Sequence, residues 1–431
     1  MIFVHKLLYK LGVKLRNPSL NEQLSYLKET DKLSLKDLEL IQLEKCKALI
    51  LFAYNNTSYY KVLFDEANYN PENFKNLEDL YKIPVTSKKT LIKENKNIIP
   101  DYKFRSVKVV ETSGTTGESL KYTKDERWDS GNRAALFRYY DWYNVKPWDR
   151  NGYFWGYNIH PSKILKTKLQ DFLQNRFRLF SYKDENIAKF NKKLVHAKYL
   201  HGYSSMIYEV AKTVNQLNFK RKYNLKLVKG TSEKIYEKYQ EEVKKAFGSK
   251  IVSEYGAGES GLIAFECPEY GKMHVNMQNV ILEEIEGQAV VTNLLSFSFP
   301  IIRYNLGDYI TLASKEFKCQ CGRNHIVLDD VLGRVGKLIH GVANKYPSLT
   351  LYYVFKNLYF QEKILLNYQA IQNEAGMLLL KIEQDDIKYL KQIKIELKKY
   401  FKNDLEVEIL FNQKLHTMEG KLRDFISSLD D

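Results

Sequence analysis

Along the first hundred residues apolar side chains recur every three or four positions, the spacing of amphipathic helices. Residues 38–54 are the clearest case, with Leu40, Leu43, Cys46, Ile50 and Ala53 on the repeating positions. Between about 105 and 310 the pattern changes. Short β-branched or aromatic runs at 107–110, 152–155, 225–228 and 250–254 alternate with helical stretches near 127–143, 204–217 and 233–247. That alternation predicts an α/β fold with helices packed on sheets. Residues 281–285 and 289–292, joined by Glu286-Gly287, predict a hairpin.

Past about 333–340 the pattern predicts a separate, smaller unit. Strand-like runs at 364–370 and 377–382 precede a helix over 385–401 with Ile387, Leu390, Ile393 and Leu397 inward, and a strand follows at 405–411. This β-β-α-β order describes a compact α+β domain, suited to a mobile lid. The expected division is 1–334 for a large N-terminal domain and 335–431 for the small C-terminal one.

Composition narrows the partners. Of 431 residues 44% are hydrophobic and 28% charged, ordinary for a globular protein, and the net charge is +15. Such charge suits nucleotides, coenzyme A, anionic lipid surfaces or nucleic acid. The basic residues are scattered among acids, and no finger, zipper or RNA-recognition signature accompanies them, so nucleic acid is not expected. In residues 1–15, Lys6, Lys10 and Lys14 interrupt any apolar run, which excludes a signal peptide or a spanning helix. A cytoplasmic location is therefore expected. Val4, Leu7, Leu8, Leu11 and Leu15 share one helical face. Docking onto the protein's own domain is the expected fate of that face, and lying on a membrane the alternative.

Five segments carry candidate chemistry. Thr112-Ser113-Gly114-Thr115-Thr116-Gly117 holds only hydroxyl residues and glycine and follows a strand-like run. Such a loop can turn backbone N–H groups and hydroxyls onto a polyphosphate, although alone it reads equally as a surface turn. It is not the Walker pattern. Tyr255-Gly256-Ala257-Gly258-Glu259-Ser260-Gly261 contains G-x-G-x-x-G, but Cys267, Pro268 and Gly271 follow where a dinucleotide-binding unit needs a helix. There Tyr255 could stack on a purine and Glu259 ligate Mg²⁺, or the segment could be a plain strand-end turn. Pro300–Asp308 ends on a carboxylate able to accept from both ribose hydroxyls. Arg334 offers a rigid donor fork, and Lys421, after Gly420, a mobile cation. Singly, Asp308 and Lys421 would read as solvated charges.

In this order the segments resemble the phenylacetate–coenzyme A ligase/CapK family of adenylate-forming ligases, from about residue 35 to the end. Residues 52–60, 77–89 and Gly202-Tyr203-Ser204-Ser205 share in the resemblance. It implies that 112–117 bind phosphate, that Thr231-Ser232-Glu233 flank the adenine and that Tyr255, with Gly256, stacks on it. It also implies Glu259 as the Mg²⁺ ligand, Asp308 as the ribose anchor, Arg334 as a second nucleotide contact and Lys421 as the catalytic lysine. The implied reaction joins a small carboxylic acid to ATP as an acyl-adenylate, then passes the acyl group to coenzyme A. Transfer to an amine, such as an amino sugar or amino acid in surface-polysaccharide assembly, is the alternative. Aromatics including Trp155, Tyr157 and Tyr203 would border the acyl pocket. Two positions depart from the family. Val335-Gly336-Lys337 stands where a hinge Asp is usual, and Gly258 stands where a Thr or Ser commonly precedes the glutamate.

Cys267-x₆-His274 and Cys319-x-Cys321 together supply three thiols and an imidazole, a donor set suited to tetrahedral zinc. Two unrelated turns with reduced cysteines are the alternative. The resemblance favours structural zinc, because relatives carry such cysteines beside the third segment. Cys46, on an apolar helix face, is expected in the core.

Overall fold

The computed structural model describes residues 2–112, 120–154, 164–179, 184–219, 221–231, 235, 237–334, 338–362, 364, 366–415, 417–418, 421–422 and 424–429. The largest sheet among them has eleven strands and two halves. In one half β3 (Asn151–Phe154), β4 (Arg176–Arg178), β5 (Tyr199–Tyr203), β6 (Leu227–Thr231) and β7 (Ile251–Ala257) run parallel in the order β4-β3-β5-β6-β7. Helices such as Ser204–Gln216 and Glu237–Phe247 cover these strands, which explains their near-continuous burial. Glycine is required where the layers meet. A Cβ on Gly202 would lie 2.6 Å from that of Phe154, and one on Gly230 would lie 2.5 Å from Ser204 Oγ.

The other half is antiparallel. From β7 it continues through β8 (Gly261–Glu266), β9 (Met273–Val275), β13 (Val327–Arg334), β12 (Tyr304–Leu312), β11 (Gln288–Asn293) and β10 (Val280–Ile285). The expected hairpin is β10–β11, turning through Glu286-Gly287, both at positive φ. A separate two-stranded ladder, β1 (Val107–Glu111) with β2 (Lys121–Asp125), leads into the helix Glu126–Trp142, where Asp125 accepts from Trp128 N.

The N-terminal helices support the third segment. In Leu35–Asn56, Cys46, Ile50 and Ala53 are buried as expected, while Leu40 faces solvent. Tyr60 donates to Pro300 O at 2.9 Å and accepts from Ile302 N. Arg303, at positive φ, pairs with buried Glu283 at 2.9 Å and donates to Ile83 O, while Thr86 N donates to Arg303 O. Stretches 52–60 and 77–89 therefore hold 300–305 in place.

The helix Ile2–Arg16 corrects the sequence expectation. His5 and Val13 are buried, and Tyr9 packs between Phe137 and Trp148, whereas Val4, Leu7, Leu11 and Leu15 are exposed. Of the expected inward face, Leu8 alone is half-buried. Aromatic partners on the domain select the stripe that also carries rings.

Beyond the large sheet lies a four-stranded one. Tyr368–Gln372 pairs antiparallel with Met377–Ile382, Met377–Ile382 parallel with Glu406–Leu410, and Tyr368–Gln372 parallel with Phe425–Ser427. It has its own core with the helices Leu349–Glu362 and Leu390–Phe401. Ile393 and Leu397 face inward as expected, but Ile387 lies in a 3₁₀ turn before the helix and is exposed. Lys212 Nζ, on the helix Ser204–Gln216, donates to Glu383 of this unit at 2.9 Å.

Candidate active site

The second and third segments meet through two side-chain hydrogen bonds. Tyr255 OH donates to Asp308 Oδ2 at 2.9 Å, and Tyr304 OH donates to Glu259 Oε1 at 3.1 Å. The pairs are matched, since each partner moves four residues in opposite directions along the chain. β7 and β12 are not neighbours in the sheet, with β8, β9 and β13 between them. The antiparallel half must curl for these side chains to touch. Glu259 is buried in the turn between β7 and β8, and Asn293 Nδ2 donates to its carbonyl at 3.1 Å.

That turn disposes of the dinucleotide-binding reading on geometric grounds. β7 and β8 pair antiparallel, with Ala257 opposite Gly261 and a bulge between Tyr255 and Gly256. Gly256 is needed because a Cβ there would sit 2.5 Å from Gly261 O, and Gly261 itself has positive φ. Beside Gly258 lies the Tyr122 hydroxyl, 3.2 Å from where a Cβ would fall. A phenol from β2 thus stands beside the residue that precedes Glu259. Burial, then the Glu259 charge, holds the Tyr122 phenol well above its ordinary pKa, so it remains a donor.

Thr231 ends β6 opposite Glu254 on β7 and donates to Glu254 Oε1 at 3.0 Å, while Lys229 donates to the other carboxylate oxygen at 2.6 Å. The C-terminal ends of β3, β5, β6 and β7 all point the same way, the edge at which open α/β sheets bind ligands. Tyr203, at the end of β5, is buried. Asp308 stands opposite Arg334 in the β12–β13 register. Thr112 closes the base of its loop. Its N–H donates to Leu120 O and its hydroxyl accepts from Leu120 N, each at 2.9 Å. Ser113, Gly114, Thr115, Thr116, Gly117, Ser232, Glu233, Trp155, Tyr157 and Gly336 lie outside the described residues. Lys421 belongs to a short ladder opposite Met418.

Cys267, His274, Cys319 and Cys321 converge as one cluster, their ligand atoms all within 4.8 Å of one another. The Cys267 and Cys319 sulfurs are 3.8 Å apart, and Cys321 Sγ is 3.4 Å from His274 Nε2. A zinc tetrahedron with usual Zn–S and Zn–N lengths has edges of about 3.8 and about 3.5 Å, so the donor set fits that ion. A disulfide would need sulfurs at about 2.05 Å. Cys267 follows β8 and Glu259 precedes it. At ~3.4 Å per residue the strand separates cluster from turn by about 20 Å.

Sequence reasoning missed Tyr304 and Tyr122. Tyr304 sits four residues before Asp308, a spacing that could have flagged it. Tyr122 carries no local signal, because its relation to Gly258 is purely tertiary.

No protein-family model matches the chain. It is 24% identical to a phenylacetate-coenzyme A ligase of Thermus thermophilus over 92% of its own length and 91% of that enzyme's. A stretch covering 22% of the chain is 31% identical to the Escherichia coli phenylacetate-coenzyme A ligase, over 22% of that enzyme. Among solved structures, 2-hydroxyisobutyryl-CoA ligase in its postadenylation state aligns with a TM-score of 0.71 at 14% identity, over 93% of this chain and 92% of that one. Its open conformation with 2-HIB-AMP and CoA gives 0.61 at 15% identity, over 93% of each chain. The fold is therefore that of 2-hydroxyisobutyryl-CoA ligase. Along nearly its whole length the chain is similar to the Thermus thermophilus phenylacetate-coenzyme A ligase.

Proposed function

We propose that this chain is an ATP-dependent, AMP-forming ligase that activates a small carboxylic acid as its acyl-adenylate and transfers the acyl group to coenzyme A. The observation carrying this reading is the double junction Tyr255–Asp308 and Glu259–Tyr304. It gathers an aromatic face, a hydroxyl acceptor and a buried carboxylate into one corner of the sheet. The full-length likeness to phenylacetate-coenzyme A ligase supports the reading.

In this reading Tyr255 and Gly256 face the adenine, with Thr231, Ser232 and Glu233 beside it. Asp308 accepts from the ribose hydroxyls and Arg334 adds a second contact. Residues 112–117 hold the β- and γ-phosphates while a substrate carboxylate attacks the α-phosphorus, forming the acyl–phosphate bond and releasing pyrophosphate. Glu259 would hold Mg²⁺, which supplies positive charge to the phosphate oxygens. Lys421, carried by the 335–431 unit, stabilises the negative charge building on phosphorus and positions the acid. The thiol of coenzyme A then displaces AMP from the acyl carbon. Cys267, His274, Cys319 and Cys321 would hold zinc as a structural brace, far from this chemistry.

Transfer to an amine in place of coenzyme A is the second reading. It is favoured by Val335-Gly336-Lys337, which lacks the hinge carboxylate of relatives. Substrate-dependent ATP–pyrophosphate exchange across a panel of carboxylic acids tests the first step. Failure with every acid would leave only a nucleotide-binding protein. Thioester against amide formation then decides the acceptor.

A further inference from the structure

The helices Ile2–Arg16 and Ile164–Leu173 touch, with His5 edge-on to Phe172 at a centroid distance of 5.5 Å. Each turns an apolar stripe away from the protein. On the first helix Phe3 is 78% and Leu15 86% exposed, with Leu7 and Leu11 between them. On the second, Leu165, Leu169, Phe172 and Leu173 follow at i, i+4, i+7 and i+8, Leu165 being 80% exposed. Monomeric proteins seldom leave adjoining stripes of this kind uncovered.

Charge identifies what covers them. Lys6, Lys10 and Lys14 border the first stripe and Lys166 and Lys168 flank the second, all exposed. The first helix contains no carboxylate. The single acid of the second, Asp171, is buried and paired with Arg178 at 2.9 Å. Among the described residues of these two helices, the exposed charges beside the leucines and phenylalanines are therefore all cationic. A second copy of the chain would set lysine against lysine, whereas an anionic lipid surface meets both features.

We propose that this two-helix face seats the protein on anionic membranes. The helices lie in the interfacial plane, apolar side chains among the acyl chains and lysine ammoniums at the headgroups. No helix among the described residues is long and apolar enough to cross a bilayer, so the association is peripheral. It is independent of the ligase reading.

Co-sedimentation of the full chain with vesicles tests it. Vesicles containing roughly one-third phosphatidylglycerol should bind at least about 10-fold more protein than pure phosphatidylcholine vesicles, the effect of one or two lysines at an anionic surface. Added salt should weaken the binding. Leu7→Glu with Leu11→Glu, and separately Leu165→Glu with Leu169→Glu, should abolish it while leaving melting temperature and pyrophosphate exchange unchanged. Undiminished binding by both double variants, or no preference of the native chain for anionic vesicles, would overturn the proposal. So would a concentration-dependent dimer that the same variants dissolve, which would assign the face to a second copy.

Discussion

The Tyr255 hydroxyl donates to the Asp308 carboxylate across 2.9 Å, joining residues 53 positions apart on strands that are not sheet neighbours. The bond fixes the ring and the carboxylate relative to each other before any nucleotide arrives. Removing only the phenol, by Tyr255→Phe, should raise the KM for ATP about 5-fold, the worth of one ordinary hydrogen bond of ~1 kcal/mol. Asp308→Ala should cost more, because the proposed ribose acceptor is lost as well. Pyrophosphate exchange at varied ATP measures both. An unchanged KM in Tyr255→Phe would mean that Asp308 is oriented by other groups.

Tyr304 bears the same relation to Glu259. Without its hydroxyl the carboxylate should hold Mg²⁺ less well, by roughly 10-fold, as when an outer hydrogen bond to a metal ligand is removed. Tyr304→Phe should therefore shift the Mg²⁺ dependence of exchange to higher concentration and regain its rate at saturation. Glu259→Gln should not be rescued by added metal.

Lys421 lies on a short ladder opposite Met418. Lys421→Ala should lower exchange by roughly 10²–10³, the loss of one electrostatic contact to a transition state. Its melting temperature should match the native protein's. Exchange unaffected by the change would remove this lysine from the mechanism.

The cysteine–histidine cluster should behave as a brace. Protein purified without added metal should contain about one equivalent of zinc, and chelation should lower the melting temperature. At low temperature, exchange activity should outlast the metal, since about 20 Å separate the cluster from Glu259. Metal-free protein with unchanged stability would sink the zinc assignment.

Asp129 supplies the pH prediction. Burial alone would raise its pKa, but Arg133, Asn17, Lys124 and Lys108 outweigh burial and hold it well below the ordinary carboxylate value. A depressed carboxylate stabilises fully above its unfolded pKa of 3.8 and loses that contribution as pH falls toward its folded value. Asp129→Asn should thus melt lower than the native protein at pH 7. The gap should close progressively below about pH 4.

Three of the five parallel strands, β3, β6 and β7, were legible because short apolar runs there alternate with helices; β4 and β5 were not, since Arg176–Arg178 is only three residues long and Tyr199–Tyr203 holds no β-branched residue. The helix Leu349–Glu362 was not, since its apolar residues leave no polar face and so no period. The N-terminal helix misled for a different reason. Periodicity finds an apolar stripe but not the surface it meets, and the rings of Phe137 and Trp148 favoured Tyr9 over the leucines. In the candidate site, the second and third segments meet at Tyr255–Asp308 and Glu259–Tyr304, and Cys267 with Pro268 correctly argued against a nucleotide-binding helix after Gly261, where β8 follows instead. Contacts between separate sheets, such as Tyr122 beside Gly258, leave no trace in local spacing.

β8 ties two tasks to one length. Glu259 precedes it and Cys267 follows it, so the strand acts as a ruler between a carboxylate and a thiol. Because side chains alternate across a strand, inserting or deleting one residue would turn one end inside out. Relatives that keep both ends should therefore vary here by substitution and never by length. Evolution would be free to rewrite the letters of this segment, but not to recount them.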